Sequence, residues 1–236
     1  MTFLNNMLSK LLNLLYPSNC PSCRNVSDVF SYSPICSSCW SKIMRYTGPS
    51  CRICAIPLNS SYAEICSQCL KKAPPFSKVI NYSIYDGVLA EAINLLKFHG
   101  LKRLAKPLSR LMIDFDLHGL EGVVPVPLSR KRLIERGFNQ SLLFAKTISK
   151  EKKIPLLMDN LLKVKETAPQ TGLSGKERIS NIKGAFTVKG DIRGLRLLLV
   201  DDVMTTGATV TECSKKLIEA GAEEVVVLTL ARTSML

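Results

Sequence analysis

A chain of 236 residues can form one large domain, or a small domain followed by a medium-sized one. Its hydrophobic content of 46% and charged content of 22% are ordinary for a soluble globular protein, and no apolar run reaches the length that a transmembrane helix needs. The net charge of +13 favours a phosphate-bearing ligand or a nucleic acid as partner, but charge alone does not choose between them.

The first predicted element is an amphipathic helix at residues 3–15, where apolar side chains recur at helical spacing. The run is too short to cross a bilayer and lacks a small-residue cleavage site, and Tyr16 and Pro17 end it. Without a secretion signal, we expect a cytoplasmic protein whose cysteines are reduced.

Eight of the nine cysteines form four Cys-x-x-Cys knuckles separated by twelve, eleven and eleven residues, which is an internal repeat. A knuckle can direct both sulfurs at one ion, and two knuckles complete the tetrahedron that Zn²⁺ accepts. We therefore expect two structural Zn²⁺ sites, which supply folding free energy to a segment with few large apolar side chains. The predicted ligands are Cys20, Cys23, Cys36, Cys39, Cys51, Cys54, Cys66 and Cys69.

Two alternatives to zinc fit this spacing less well. A disulfide scaffold needs an oxidising compartment, and an iron–sulfur cluster usually brings tighter cysteine clustering. The pairing stays open, since consecutive knuckles close the shortest loops but an interleaved arrangement is also compatible with the sequence. Cys213 lies apart on a predicted helix, where we expect a small buried side chain.

Two prolines at positions 74 and 75 predict a hinge after the cysteine module, so we place the domains at residues 1–75 and 76–236. Beyond the hinge, strands are predicted at 79–85, 122–126, 195–200 and 224–230, and helices at 88–98, 138–149 and 208–220. The apolar runs 197–200 and 225–228 favour an α/β fold with a parallel sheet flanked by helices. In such sheets ligands bind at the carboxyl ends of strands.

The segment after the strand at 195–200 has the composition of a phosphate-binding loop. Asp201 and Asp202 are followed by three threonines and Gly207 at the start of a helix. Helix N-termini and threonine hydroxyls bind phosphate, while the acids can accept hydrogen bonds from sugar hydroxyls or attract a divalent cation. A plain βα turn with a threonine N-cap explains only part of this set. We expect both acids to lie outside the core.

Other candidate groups carry weaker signals. The densest basic cluster, Arg130, Lys131, Arg132 and Arg136, suits a pyrophosphate, although a solvated helix face has the same composition. Lys97 and His99 lie near a helix end, where capping and surface roles are more typical.

Several segments of the chain resemble those of known proteins. Residues 197–209 resemble the phosphoribosyl pyrophosphate (PRPP) signature of type I phosphoribosyltransferases. Further segments are similar to the ComF (ComFC) family of competence-associated proteins: 95–100 (LLKFHG), 126–129 (VPLS) with 136–140 (RGFNQ), and 170–174 (QTGLS) with 177–178 (ER). The resemblance covers nearly the whole chain and implies a type I phosphoribosyltransferase-like sheet, preceded by a small zinc-ribbon-like module.

The resemblance also implies ligand contacts. Asp201 and Asp202 would hold the ribose hydroxyls, and Mg²⁺ would bridge the ribose to pyrophosphate. Residues 167–178 would form a flap that closes over the reaction. The implied contacts to the 5′-phosphate of PRPP or ribose-5-phosphate are Thr205, Thr206, Gly207, Ala208 and Thr209, those to pyrophosphate are Pro127, Leu128, Ser129, Arg130 and Arg136, and those from the flap are Lys176 and Arg178.

Two functions stay open from the sequence. The first is an enzyme that transfers a phosphoribosyl group from PRPP to an unknown acceptor with release of pyrophosphate, for which no catalytic base can be named. The second is a non-catalytic PRPP-sensing or binding factor of the DNA-uptake machinery, with single-stranded DNA and DNA-uptake proteins as partners. Aromatic residues make up only 6% of the chain, so any DNA contact would run mainly through phosphates.

Overall fold

The computed structural model describes residues 18–60, 62–167 and 175–234, so the helix predicted at 3–15 and residues 168–174 of the predicted flap lie outside it. The helices are α1 (Ser37–Trp40), α2 (Ser67–Lys71), α3 (Gly87–Phe98), α4 (Ala105–Arg110), α5 (Arg130–Arg136), α6 (Gln140–Lys152), α7 (Gly175–Ile182) and α8 (Ala208–Glu219), with 3₁₀ turns at Phe30–Tyr32 and Lys102–Leu104. The strands are β1 (Lys78–Ile84), β2 (Gly122–Pro125), β3 (Leu161–Lys163), β4 (Phe186–Val188), β5 (Arg196–Met204) and β6 (Glu224–Arg232).

Four strands form one parallel sheet in the order β1-β6-β5-β2, with Val79 opposite Val227 and Leu198 opposite Val226. β2 is buried along its whole length, β5 is buried except at Arg196 and Val203, and β6 is buried except at Glu224, as the continuous apolar runs predict. A separate antiparallel pair, β3 and β4, lies outside this sheet. The predicted α/β architecture is confirmed.

Side chains on the central strand alternate between two cores, one on each face of the sheet. Leu198 and Val200 pack in the first core, which α3, α4 and α6 cover. Leu197 and Leu199 pack in the second core, with Leu217 of α8. The four-stranded sheet therefore has helices on both faces.

Hydrogen bonds determine where α6 begins and where β5 ends, which the hydrophobic periodicity of the sequence does not predict correctly. The Asn139 side chain accepts hydrogen bonds from the amides of Ser141 and Leu142, so the predicted cap is confirmed and α6 begins at Gln140 rather than at residue 138. β5 continues four residues beyond its predicted end because it pairs with β6 as far as Met204. The two acids therefore belong to the strand itself.

The cysteine module is built into both cores rather than standing apart from the sheet. Cys20 and Ile35 pack in the first core, and Cys51 packs in the second. Main chain from residue 46 to residue 53 reaches the outer edge of β1, where the Tyr46 amide donates to the Tyr82 carbonyl at 2.9 Å and the Val79 amide donates to the Ile53 carbonyl at 2.7 Å. The boundary at residue 75 stays a prediction.

A helix that crosses a bilayer must be long and apolar. In the described part of the chain, every helix falls short of that requirement.

Candidate functional site

The eight predicted cysteines come together in two sets of four, whose sulfur atoms all lie within 4.8 Å of one another in each set. Knuckles pair consecutively: the first set is Cys20, Cys23, Cys36 and Cys39, and the second is Cys51, Cys54, Cys66 and Cys69. The interleaved arrangement that the sequence allowed is thus not the one adopted. Four thiolates at this separation fit the tetrahedral coordination of a structural Zn²⁺ ion and leave no position for substrate.

The two sets repeat the same local geometry. The residue after the second cysteine of each leading knuckle, Arg24 or Ala55, has a positive φ, which closes the turn. In each case its amide donates to the main-chain carbonyl of the first cysteine of the knuckle, Cys20 or Cys51, at 2.7 Å and 2.8 Å respectively. The internal repeat in the sequence is therefore a structural repeat of two ribbons, residues 18–43 and 49–71.

Asp201 and Asp202 lie near the carboxyl end of β5 and are only 8% and 3% exposed. The expectation that they lie outside the core is wrong, because β5 continues beyond them and neighbouring side chains cover them. Asp201 Oδ1 accepts hydrogen bonds from Ser141 Oγ and from the Asp202 amide, both at 2.9 Å. Burial, and then repulsion from Asp202, raises the pKa of Asp201 to about 7.

Lys97, a weak candidate from the sequence, reaches this acidic pair from the end of α3. Its Nζ lies 2.8 Å from Asp202 Oδ2, and the two side chains are 17% and 4% exposed. The contact is an ion pair without hydrogen-bond alignment, and Asp202 Oδ2 has no other hydrogen-bond partner within the described ranges. One buried carboxylate oxygen is thus held by charge alone. His99 follows α3 as its C-cap, which is the ordinary role expected for it.

Residues 204–209, from the end of β5 to the first turn of α8, are called the phosphate-type loop and form a sharp turn into a helix. Gly207 is the N-cap of α8 with φ of 80°, a conformation that other residues adopt at a steric cost. Thr206 Oγ1 accepts from the Ala208 amide at 3.4 Å. A small cavity of about 30 Å³ lies at this turn, lined by residues that include Thr205, Gly207, Ala208 and Thr209. The first turn of α8 therefore faces an anion-sized space.

A cleft of about 450 Å³ joins the acids and the turn to a basic wall. Arg132 and Arg136 of α5 line it, whereas Arg130 and Lys131 are exposed. Arg136 donates to Gln140 Oε1, and burial lowers the pKa of Arg136 although the two acids oppose that shift. The basic run is thus partly a site wall and partly a solvated helix face.

The cleft's remaining wall comes from the antiparallel pair, which the sequence did not connect with ligand binding. Lys163 of β3 donates to Thr167 Oγ1 at 2.8 Å, and burial lowers the pKa of Lys163, with Arg132 adding to the shift. Phe186 of β4 and Ile182 of α7 line the same wall. Short strands such as β3 carry too little periodicity to identify Lys163 from the sequence.

The structure brings most of the predicted ligand-binding residues together. Those that line the cleft or the small cavity at the turn are Asp201, Asp202, Thr205, Gly207, Ala208, Thr209, Pro127, Leu128, Ser129 and Arg136. Thr206 and Arg130 do not line either space. Lys176 and Arg178 lie on α7, and their side chains are outside the described part of the chain. The ligand roles of all these residues stay predictions.

Comparison with known proteins agrees with both parts of the chain. A family model described as a double zinc ribbon domain matches residues 11–70, and one described as a phosphoribosyl transferase domain matches residues 139–234. Among solved structures, the chain is similar to glutamine PRPP amidotransferase from B. subtilis, with a TM-score of 0.39 and 23% identity over 53% of this chain and 25% of that one.

Two relatives match over most of their length. The chain is 34% identical over 228 residues to DNA utilization protein YhgH of Escherichia coli, covering 93% of this chain and 99% of the relative. It is 36% identical over 209 residues to Competence protein F of Haemophilus influenzae, covering 84% and 90% respectively. Given these matches, the chain belongs to the ComF family, with a double zinc ribbon followed by a phosphoribosyltransferase-type domain.

Proposed function

We propose that this protein binds PRPP with Mg²⁺ in the cleft at the end of β5 and transfers the phosphoribosyl group to an acceptor, releasing pyrophosphate. The observation that carries the proposal is the meeting of three features in one cleft. These are the buried acidic pair, the turn into α8, and the cations Lys97, Arg132 and Arg136. A sugar that bears phosphate at one end and pyrophosphate at the other matches this order of charges.

The 5′-phosphate belongs at the turn into α8. The first amides of a helix have no partner within the helix, and the helix dipole adds partial positive charge there. The cavity at the turn is lined by Thr205 and Thr209, whose hydroxyls can donate to phosphate oxygens.

The ribose belongs over Asp201 and Asp202, whose carboxylates accept hydrogen bonds from vicinal hydroxyls. The same oxygens suit Mg²⁺, which prefers oxygen ligands and binds through one or two carboxylates together with substrate phosphates. The free hydrogen-bonding capacity of Asp202 Oδ2 supports this assignment. When bound, Mg²⁺ would neutralise part of the charge on the pyrophosphate.

The pyrophosphate belongs between the basic wall and the loop 127–129. As the bond from the anomeric carbon to the pyrophosphate oxygen breaks, negative charge grows on the leaving group while the ribose becomes oxocarbenium-like. Lys97 and Arg136 would stabilise the leaving group, and the acids would hold the ribose for attack from the opposite face. In the cleft as described, the only carboxyl groups are Asp201 and Asp202. Catalysis would therefore rest on positioning and charge.

The test is a titration of the zinc-loaded protein with PRPP and Mg²⁺ by calorimetry, followed by measurement of pyrophosphate release with and without candidate bases. Lys97→Met removes the cation that contacts Asp202, so we expect PRPP affinity to fall by at least about tenfold. Lys150→Met on α6 is the matched control, because Lys150 is exposed and does not line the cleft. Equal affinity in both variants, or no binding by the unaltered protein, would refute the proposal.

A second candidate function is DNA binding without turnover. The relatives are named for DNA utilization and competence, and the exposed Arg130 and Lys131 stand beside the cleft. A groove of about 440 Å³ along α5 shares Phe98 and Arg132 with the cleft and is also lined by Lys131, Glu135 and Glu166. PRPP binding without pyrophosphate release for any base tested would favour this second candidate.

A further inference from the structure

Arg232, the last residue of β6, has a buried guanidinium that links two distant parts of the chain. The residue is 1% exposed, and it is among the largest fully buried side chains in the described part of the protein. A buried charge of this kind is tolerated only when hydrogen bonds replace the water it loses. Main-chain carbonyls supply those bonds.

One side of Arg232 holds the phosphate-type loop. Its Nη1 donates to the Met204 carbonyl at 2.9 Å and also to the Thr205 carbonyl. The Thr233 amide donates to the same Met204 carbonyl at 3.1 Å. These bonds fix the direction of the two carbonyls and offset part of their negative charge, which would otherwise repel a phosphate at the turn. Arg232 therefore favours the loop conformation that an anion needs.

The other side of Arg232 holds the second ribbon. Its Nε donates to the main-chain carbonyl of Cys54 at 3.2 Å, and Cys54 is one of the four thiols of the second cysteine set. A metal ion in that set fixes the position of Cys54, and thereby the position of the carbonyl that Arg232 contacts. The ribbon, the arginine and the loop form one chain of direct contacts.

The first ribbon also contacts an arginine, Arg103, but this arginine does not reach the ligand cleft. Arg103 Nε donates to the Ser33 carbonyl at 2.8 Å, and its guanidinium lies 5.3 Å from the Phe30 ring. Arg103 does not line the cleft or the cavity at the turn. The two ribbons are thus alike in local geometry, but among the described residues only the second contacts an arginine that also contacts the phosphate-type loop.

We propose that Arg232 is a positioning residue that couples the metal in the second cysteine set to the phosphate-type loop, whereas the metal in the first set is not coupled to it. The anion-binding role of the loop rests on the proposed function, but the coupling itself does not. Because coupling between two sites is reciprocal, PRPP should slow release of the second metal ion, and loss of that ion should loosen the loop.

The experiment measures amide hydrogen exchange of the peptide spanning residues 203–209 in the zinc-loaded protein, without PRPP. Arg232→Lys keeps a positive charge but cannot reach all the carbonyls, and Cys69→Ser weakens the second metal site. We expect each change to speed exchange of this peptide by at least about tenfold, while the core of β5 at 197–200 stays protected. Arg103→Lys and Cys39→Ser, the equivalent changes in the first ribbon, should leave the peptide unchanged.

A second readout compares the unaltered protein with and without PRPP, and variants serve only to assign its kinetic phases. A chelating dye reports zinc release in the presence and absence of PRPP with Mg²⁺, and Cys39→Ser and Cys69→Ser assign the two kinetic phases. PRPP should slow the second-ribbon phase only. Equal exchange of the 203–209 peptide in all variants would overturn the coupling even if PRPP binds. Faster exchange without any PRPP binding would support the coupling and defeat the proposed function alone.

Discussion

Asp201→Asn should raise the free energy of unfolding of the protein, and the increase should be larger at pH 8 than at pH 5.5. In the folded chain, burial and the neighbouring Asp202 raise the pKa of Asp201 from the ordinary 3.8 to about 7. Between these two values the folded state holds a proton that the unfolded state has released, so stability falls as pH rises through this window and is level above it. A rise of about three units corresponds to about 4 kcal/mol in the free energy of unfolding.

Asp201→Asn is a close probe because Asn Oδ1 can still accept from Ser141 Oγ and from the Asp202 amide. The variant lacks the titrating group, so its gain in stability over the unaltered protein should be about 2 kcal/mol larger at pH 8 than at pH 5.5. Urea unfolding at constant ionic strength, with zinc present, measures the difference. Circular dichroism and the single tryptophan, Trp40, report the transition.

Asp191→Asn supplies a control, because the pKa of Asp191 is shifted in the opposite direction from that of Asp201. Hydrogen bonds from Arg193 hold the pKa of Asp191 below its ordinary value, so this carboxyl is ionised in both states throughout the window from pH 5.5 to 8. The stability difference for Asp191→Asn should therefore not change with pH in that window. If the stability difference for Asp201→Asn is equally independent of pH, the pKa of Asp201 is not raised in the folded protein and the prediction is wrong.

Three further results are expected. Elemental analysis should give two zinc ions per chain, because two sets of four thiols are preformed; one zinc, or iron, would contradict the assignment. Asp201→Asn combined with Asp202→Asn should abolish binding of PRPP or ribose-5-phosphate with the circular dichroism spectrum retained, and unchanged affinity would return both acids to a structural role. Single-stranded DNA should bind weakly through Arg130 and Lys131, lose affinity steeply with salt and compete with PRPP, whereas binding that survives high salt would indicate a separate site.

The sequence predicts best what lies within a short stretch of chain. The acidic pair, the turn at Gly207 and the helix that follows are contiguous, so their order alone indicates a phosphate-type loop. The cysteine spacing likewise identifies the ligands, but it leaves their pairing open because two arrangements satisfy the same coordination chemistry. Here the structure, with 3.6 Å between the sulfurs of Cys54 and Cys66, decides for consecutive knuckles.

Contacts between distant elements are where the sequence falls short. Lys97 meets Asp202, and Lys163 enters the cleft, only because tertiary packing places α3 and β3 around the end of β5. Arg232 lies just beyond the strand predicted at 224–230, and only its contacts with Met204 at the end of β5 and with Cys54 in the second ribbon identify its role. The burial of the acids was mispredicted for the same reason, since polarity suggests exposure unless the covering elements are known.

The path of the main chain along β1 has a consequence for the behaviour of the protein without metal. β1 is the outermost strand on its side of the sheet, and its outer edge is occupied by hydrogen bonds that join Tyr82 to Tyr46, between the ribbons, and Val79 to Ile53, in the second ribbon. An uncovered outer strand offers unpaired amides and carbonyls to any similar strand. Because Ile53 lies in the ribbon of the second cysteine set, we expect loss of metal from that set to loosen this cover and to favour pairing between molecules through β1.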